Sequence, residues 1–487
     1  MISYIEVLIH QLDDYDDTEE INGVAYYKKR TLAYNIPEAF LDDDVVSKMK
    51  KYIGVRCNRI IIEFPYYDRD YLSTYYIHYS KKMVSVTKSC CRLHFWKGDR
   101  YYGYMVLRPT TTETKISRTL LEPELLVDQH PYLMLANFKA HLLGSKANIR
   151  CFPWMRQETD IAVCAHVAVW SLLKYYGNSF KDYMDTTVGA IVEKTTNSWG
   201  RKTPSLGLSP VQISDIMKEY GFSPLILGRN SMDKEQFLDT LMSYVESGIP
   251  SIGFIDINED HHAVTFIGHG VPQYEILDDD KILRKLIDQE NIENNIQILP
   301  SARLINTLYV SDDRAFPYRV VQREIPDSSS DLDYCLPQVR YVIIPLYQRM
   351  QLGYREIYAK FIELYKKQEF QWVGLHISRI YITSSNALKE QMMNCDVNAE
   401  LKRMILHLSM SKFVWCVDLA TPEEYKSNKI SGRLIADTTA ATYELDPWIL
   451  VHDSKLIQVF DAETQKRLRY KINIEPYDLY VHNLKPV

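Results

Sequence analysis

The stretch that most constrains this chain is TDIAVCAHVAVWSLLKYYG, residues 159–177, where nearly every position from Ile161 to Tyr176 is apolar. A helix apolar on all sides has no face for water and has to lie inside a fold, covered by other elements. Thr159 or Asp160 offers an N-cap, and Gly177 a stop. Cys164 then falls in or just after the first turn, where backbone N–H groups have no helical partner.

A cysteine in an apolar helix is ordinarily a small core residue. Its position at the start of the helix also makes Cys164 a candidate nucleophile. The partial positive charge of a helix N-terminus favours a thiolate, and the same N–H groups can bind an oxyanion. A thiolate needs a proton acceptor that becomes its cationic partner, usually histidine. The segment DHHAVTFIGHG, residues 260–270, places His262 at the start of an apolar strand, where a side chain can face a cleft. Strand alternation turns His261 to the other face. His166, two residues after Cys164 on one helix, faces elsewhere, and His269 lies at the far end of the strand. His262 is the natural partner.

A third group should orient the imidazole through its other nitrogen. The strand TLYVSDDRAFPY ends in Asp312 and Asp313, and a strand beside that of His262 would bring one of them to the same edge. Asp278, in YEILDDD, is the rival. Asp312 is preferred, because its strand is the stronger and residues 277–296 read as a helical surface insertion. Gln157, upstream of Cys164, can donate a second hydrogen bond to an oxyanion through its amide.

The order Gln157, Cys164 at a buried helix start, His262 before Ala-Val on a strand, and Asp312 after a strand resembles the papain-like cysteine peptidases. It is nearest to the bacteriocin-processing branch, which carries Asp as the third residue. Tyr175-Tyr176-Gly177 and HHAVTFIGHG are the most specific pieces. The resemblance implies a papain-like α+β fold for the middle of the chain and a thiolate–imidazolium pair at residues 164 and 262. The Gln-to-Cys spacing is one residue longer than usual, and the His-to-Asp interval is much longer than in simple members. NSWG, residues 197–200, copies the tetrapeptide that carries the orienting Asn in papain, but it precedes His262 rather than following it.

A chain of 487 residues is too long for one ordinary core. We read three α+β units: residues 1–138, a central papain-like unit over 139–345, and residues 346–487. The overall fold class is α+β. In the first unit RIIIEFPYY, CRLHFWKG and YYGYMVLRP read as strands, with Gly98 turning between the last two and a helix near residues 68–82. In the central unit, residues 209–221 and 233–248 read as helices capped by Ser209 and Asp233. The last unit holds a helix at 353–368 and strands in WVGLHISRIYIT, FVWCVDLA, RLIADTTA and WILVHDSKLIQVFD, with no motif assignable to chemistry.

Composition narrows the partners. A net charge of -6 is not the footprint of a nucleic-acid binder, so YYDRDYLSTYYIHYSKK, residues 66–82, reads as an amphipathic element packing its tyrosines rather than a base-stacking platform. No apolar run is long enough to span a membrane, and the N-terminus lacks the basic region of a signal peptide. The eight cysteines contain no C-x-x-C, which argues against a zinc ribbon, and free thiols fit the cytoplasm. Asp278–Asp280 lack the alternate spacing of a calcium loop.

The expectation is a cytoplasmic cysteine peptidase-like hydrolase that cleaves a peptide or isopeptide bond through Cys164, His262, Asp312 and Gln157. It needs no metal or cofactor. Its substrate is a protein or peptide, and its flanking units can hold a protein partner. Acyl transfer or amidase chemistry would use the same thiol. A non-catalytic protein-binding scaffold is the reading from a different class.

Overall fold

The computed structural model describes most of residues 56–487. Before them it describes Phe40, Ile53 and short strands at 3–8, 18–21 and 24–27. Outside the described residues lie most of 1–55, then 111–114, 159–160, 196–206, 258–259, 288–295, 325–333, 442–445 and some shorter gaps. NSWG and the two expected caps, Thr159 and Asp160, fall among these. The fold is α+β, with helices set against three large sheets. Among the described residues, no helix is long and apolar enough to cross a membrane.

The first sheet is an antiparallel meander of Ser3–Leu8, Arg59–Tyr66, Cys90–Lys97, Arg100–Leu107 and Ile116–Leu121. Six successive residues of Cys90–Lys97 are buried, so this strand is covered on both faces. Gly98 takes the expected positive φ of 57° in the turn to the next strand. The helix Arg69–Ile77 is capped by Asp68 and packs Tyr71 into the core, while Tyr67 and Tyr76 stay exposed.

The middle sheet runs in the order Phe222–Gly228, Val339–Tyr347, Ser251–Ile257, Asp260–His269, Thr307–Ser311, Arg319–Gln322. Ser209 and Asp233 cap the helices Pro210–Glu219 and Lys234–Glu246, as their sequences imply. The third sheet begins with a parallel pair, Ile296–Pro300 beside Gly374–Ser384, and continues antiparallel to Lys466–Lys471.

Three local expectations are corrected. Residues 277–296 are not one helical insertion: a short helix, Asp280–Leu286, is followed by the edge strand Ile296–Pro300 of the third sheet. WILVHDSKLIQVFD is two strands, Trp448–His452 and Leu456–Asp461, because Asp453 accepts from the N–H groups of Lys455 and Leu456 and turns the chain. The expected boundaries at 138 and 345 are crossed by pairing: Ile296–Pro300 joins the third sheet, and Lys485–Pro486 pairs with Tyr132–Leu133 beside the His262 strand.

One continuous apolar cluster runs from Tyr71 and Tyr104 through the helix Cys164–Ser179 to Trp415 and Leu484, so the three sheets share a core. Trp170 and Tyr176 of that helix are fully buried, as its all-round apolar sequence requires.

Candidate active site

The helix that carries Cys164 starts later than its sequence suggests. Residues 158 and 162 close a tight turn, each donating its N–H to the other's carbonyl at 2.9 Å. Val163 follows in extended geometry as the N-cap, and Cys164 is the first helical residue. Valine has no side-chain oxygen, so the first-turn N–H groups beside Cys164 are left without a side-chain cap. The bridge between Glu158 and Ala162 sets Gln157 level with Val163, the residue before the thiol.

The same helix lies across the His262 strand, and Thr265 Oγ1 donates to the Ala168 carbonyl at 3.3 Å. His262 is the third residue of that strand and fully buried, so the expectation of a strand end facing a cleft is corrected. Thr265 pairs with Ser311 on the neighbouring strand. Continued by one residue, that register puts Asp312 level with Val264, on the face shared with His262 and diagonal to it. His262 Nε2 donates to Asp312 Oδ1 at 2.7 Å. Nδ1 is buried without a hydrogen-bond partner among the described residues, yet the Cys164 thiol interacts with the ring. With Nε2 committed to Asp312, Nδ1 is the nitrogen left for the thiol. The structure therefore brings together Cys164, His262 and Asp312.

Asp312 is itself held on every side. Its Oδ1 also accepts from the Arg314 N–H at 2.9 Å, and its Oδ2 from Arg319 at 3.0 Å and the Tyr334 hydroxyl at 2.9 Å. Its backbone carbonyl accepts from Trp154 Nε1 at 2.7 Å. Burial works against its charge, but the His262 hydrogen bond and charge, the Arg314 N–H and Arg319 outweigh it and hold the carboxyl down at about 2. For His262, burial opposes the cation. The bond to Asp312, the Cys164 thiol and the charges of Asp312 and Asp313 prevail and push it up to about 9. The surroundings thus favour the protonated ring, the cationic partner a thiolate needs.

Asp313 is the unusual member. Its carboxyl lies 3.7 Å from His262 Nε2, is only 3% exposed, and has no hydrogen-bond partner on either oxygen among the other described residues. Burial, reinforced by the Asp312 charge and opposed by that of His262, raises it to about 7. His262, Asp312 and Asp313 are close enough to hold a metal ion. Both oxygens of Asp312 already take two donors each, one of them a guanidinium, so a cation there would have to displace them.

The other candidates lie elsewhere. Asp278 is exposed and paired with Lys426, away from His262. His261 is exposed on Asp256, as strand alternation implies. His166 is buried in the core, and burial pushes it down to about 4. His269 pairs with Glu246 at 2.8 Å. Gln157 is positioned by its backbone: its carbonyl accepts from Arg108 Nη2 at 2.6 Å. Arg108 also donates to the Arg156 carbonyl at 3.2 Å and reaches Glu158, which takes the Tyr79 hydroxyl on its other oxygen. Sequence reasoning missed Arg108, Trp154, Arg319 and Tyr334. Arg108, Trp154 and Tyr334 act across 49, 158 and 22 residues, and Arg319, seven residues from Asp312, stands in no local motif.

All eight cysteines are free, and seven of them are buried; Cys164 is partly exposed. Burial raises each of the other seven thiols, with Cys91 and Cys416 reaching about 12. Comparison with family models, characterised proteins and solved structures found no match for this chain.

Proposed function

We propose that this chain is a cysteine peptidase-like hydrolase, a papain-like central unit with α+β units on either side, acting on a peptide or isopeptide bond of a protein or peptide substrate. The observation that supports it is the His262 imidazole placed between the Cys164 thiol and the Asp312 carboxylate. The thiolate attacks the scissile carbonyl carbon. The oxyanion that forms is met by the uncapped N–H of Cys164 and the amide of Gln157. His262 then protonates the leaving amine, and the thioester remains. His262 next takes a proton from water, the hydroxide oxygen bonds to the acyl carbon, and the thiolate leaves. Asp312 keeps the ring oriented throughout. Eight unpaired thiols suit a reducing compartment, and we place the enzyme in the cytoplasm.

The test is iodoacetamide labelling of the native chain at about pH 6, below the ordinary thiol range, mapped by peptide mass. Cys164 should react ahead of the other seven, and His262→Ala should slow it. Labelling of Cys164 no faster than the buried thiols would remove the ion pair and the hydrolase reading with it.

A further inference from the structure

A cavity of about 870 Å³ opens at the other end of the nucleophile helix, between the first sheet and the hairpin of Ala136–Leu142 and Ser145–Cys151. Lys174, Gly177 and Asn178 of the helix line it. Lys174 is ten residues beyond Cys164, about 15 Å along the axis, so the cavity is separate from the thiol.

Its wall carries Arg92, Arg118, Lys139 and Lys174 against Glu63 and Asp185. The lining itself holds four cations against two carboxylates, and two further carboxylates, Asp68 and Asp70, stand behind it on Arg118. Each lining acid is also shared between two bases. Glu63 binds Arg92 at 2.6 Å and His94 at 3.1 Å; Asp185 binds Lys174 at 2.8 Å and Arg69 at 3.0 Å. Neither is left to attract a cation. Asp68 and Asp70 hold Arg118 at 2.6 and 3.2 Å. Arg118 Nε remains buried with no hydrogen-bond partner among the described residues.

Three of these cations are deeply set: Arg92, Arg118 and Lys174 are only 6%, 9% and 7% exposed. Holding three charges out of water at one place is costly for each ion before pairing. A solvated surface patch needs no such arrangement. The rest of the wall mixes aromatic and apolar side chains with the polar Asn137, His141 and Asn178. The Arg92 guanidinium lies 4.1 Å from the Tyr66 ring centre and 5.0 Å from that of Tyr104, and Phe138 and Leu142 face the same space. The volume falls in the range of small-molecule sites, about 300–1,000 Å³, and exceeds what a bare oxyanion fills.

We propose that this cavity binds a small organic anion, an aromatic body carrying one carboxylate or phosphate, with the anionic group toward Arg118 and Lys174 and the ring against Tyr66, Tyr104 and Phe138. The site does not rest on the reading of Cys164. The helix that carries the thiol forms part of both.

Titration calorimetry on the full chain tests it with phenyl phosphate, phenylacetate and neutral benzyl alcohol. At least one aromatic anion should bind saturably, about tenfold or more tighter than benzyl alcohol, and more weakly as salt is added. Preference for phenyl phosphate marks a phosphorylated ligand, and preference for phenylacetate a carboxylic acid. Lys174→Met should weaken binding at least about tenfold. Lys139→Glu, at an exposed position where folding is not at stake, should weaken it severalfold. The proposal is overturned if neither anion binds more tightly than benzyl alcohol. It is equally overturned if both variants, folded by circular dichroism, bind as the wild type does.

Discussion

Arg108 Nη2 and the carbonyl of Gln157 are 2.6 Å apart, a contact that ties the end of a first-sheet strand to the segment leading into the Cys164 helix. Arg108 is 2% exposed and also reaches Glu158. The first sheet therefore braces the candidate site and is not a detachable cover over it. Arg108→Lys keeps the charge but loses the planar fork. It should cost about 1–3 kcal/mol and slow Cys164 labelling severalfold. Arg433→Lys, which weakens the buried pair with Asp418 in the third sheet, should cost about as much and leave labelling unchanged. Urea denaturation and labelling rates measured together separate the two effects.

Trp154 makes the second tie. Its backbone pairs with Thr119 of the first sheet, and its indole N–H donates to the Asp312 carbonyl at 2.7 Å. Trp154→Phe keeps an aromatic ring but removes the donor, leaving the buried carbonyl with only the longer bond from the Ala315 N–H at 3.3 Å. A loss of about 1–3 kcal/mol by urea denaturation is expected, with slower Cys164 labelling as Asp312 loosens.

Asp312→Asn removes a charge while keeping the shape of the side chain. His262 should fall from about 9 toward its ordinary value, read from the imidazole proton shifts by NMR. Cys164 labelling at about pH 6 should drop at least about tenfold, because a tautomer held by an amide no longer favours the imidazolium. Stability follows in sign. The folded pKa of His262 is raised above its unfolded value near 6.5, so its contribution is full below that pH and is lost as pH rises through about 9. That alkaline loss should shrink in the variant.

Much of this was legible in the sequence. Cys164, His262 and Asp312 were readable because each stands at a junction that local pattern marks: a helix start, the beginning of an apolar strand, and the end of another. Caps such as Ser209 and Asp233 were readable because their partners lie within three residues. The helix start itself was misread, since an unbroken apolar run has no edge and the turn at 158–162 is set by a backbone bridge. The parallel pairing of Ile296–Pro300 with Gly374–Ser384 was not readable, because the two strands are far apart in sequence. Arg108 and Tyr334 were invisible for the same reason: their partners are 49 and 22 residues away. The isolation of Asp313 is likewise a property of packing, since in sequence it differs from Asp312 by one place.

Asp313 gives the sharpest pH test. It is buried, its carboxyl oxygens have no hydrogen-bond partner among the other described residues, and it is raised to about 7 by burial and by the charge of Asp312. A carboxyl whose folded pKa lies above its unfolded value near 3.8 opposes folding once it must ionise. Its cost is absent below about pH 4 and grows as pH rises toward 7. Asp313→Asn removes that cost. Relative to the wild type, the variant should gain about 1–3 kcal/mol between pH 4 and pH 8, measured as the change in the stability difference. Taking the difference between two pH values cancels the constant cost of burying the amide. The same substitution removes a charge 3.7 Å from Nε2, so His262 should titrate at lower pH. If the stability difference is flat across this range, Asp313 ionises in the folded chain as it does in the unfolded one, and its charge stands beside His262 Nε2 throughout.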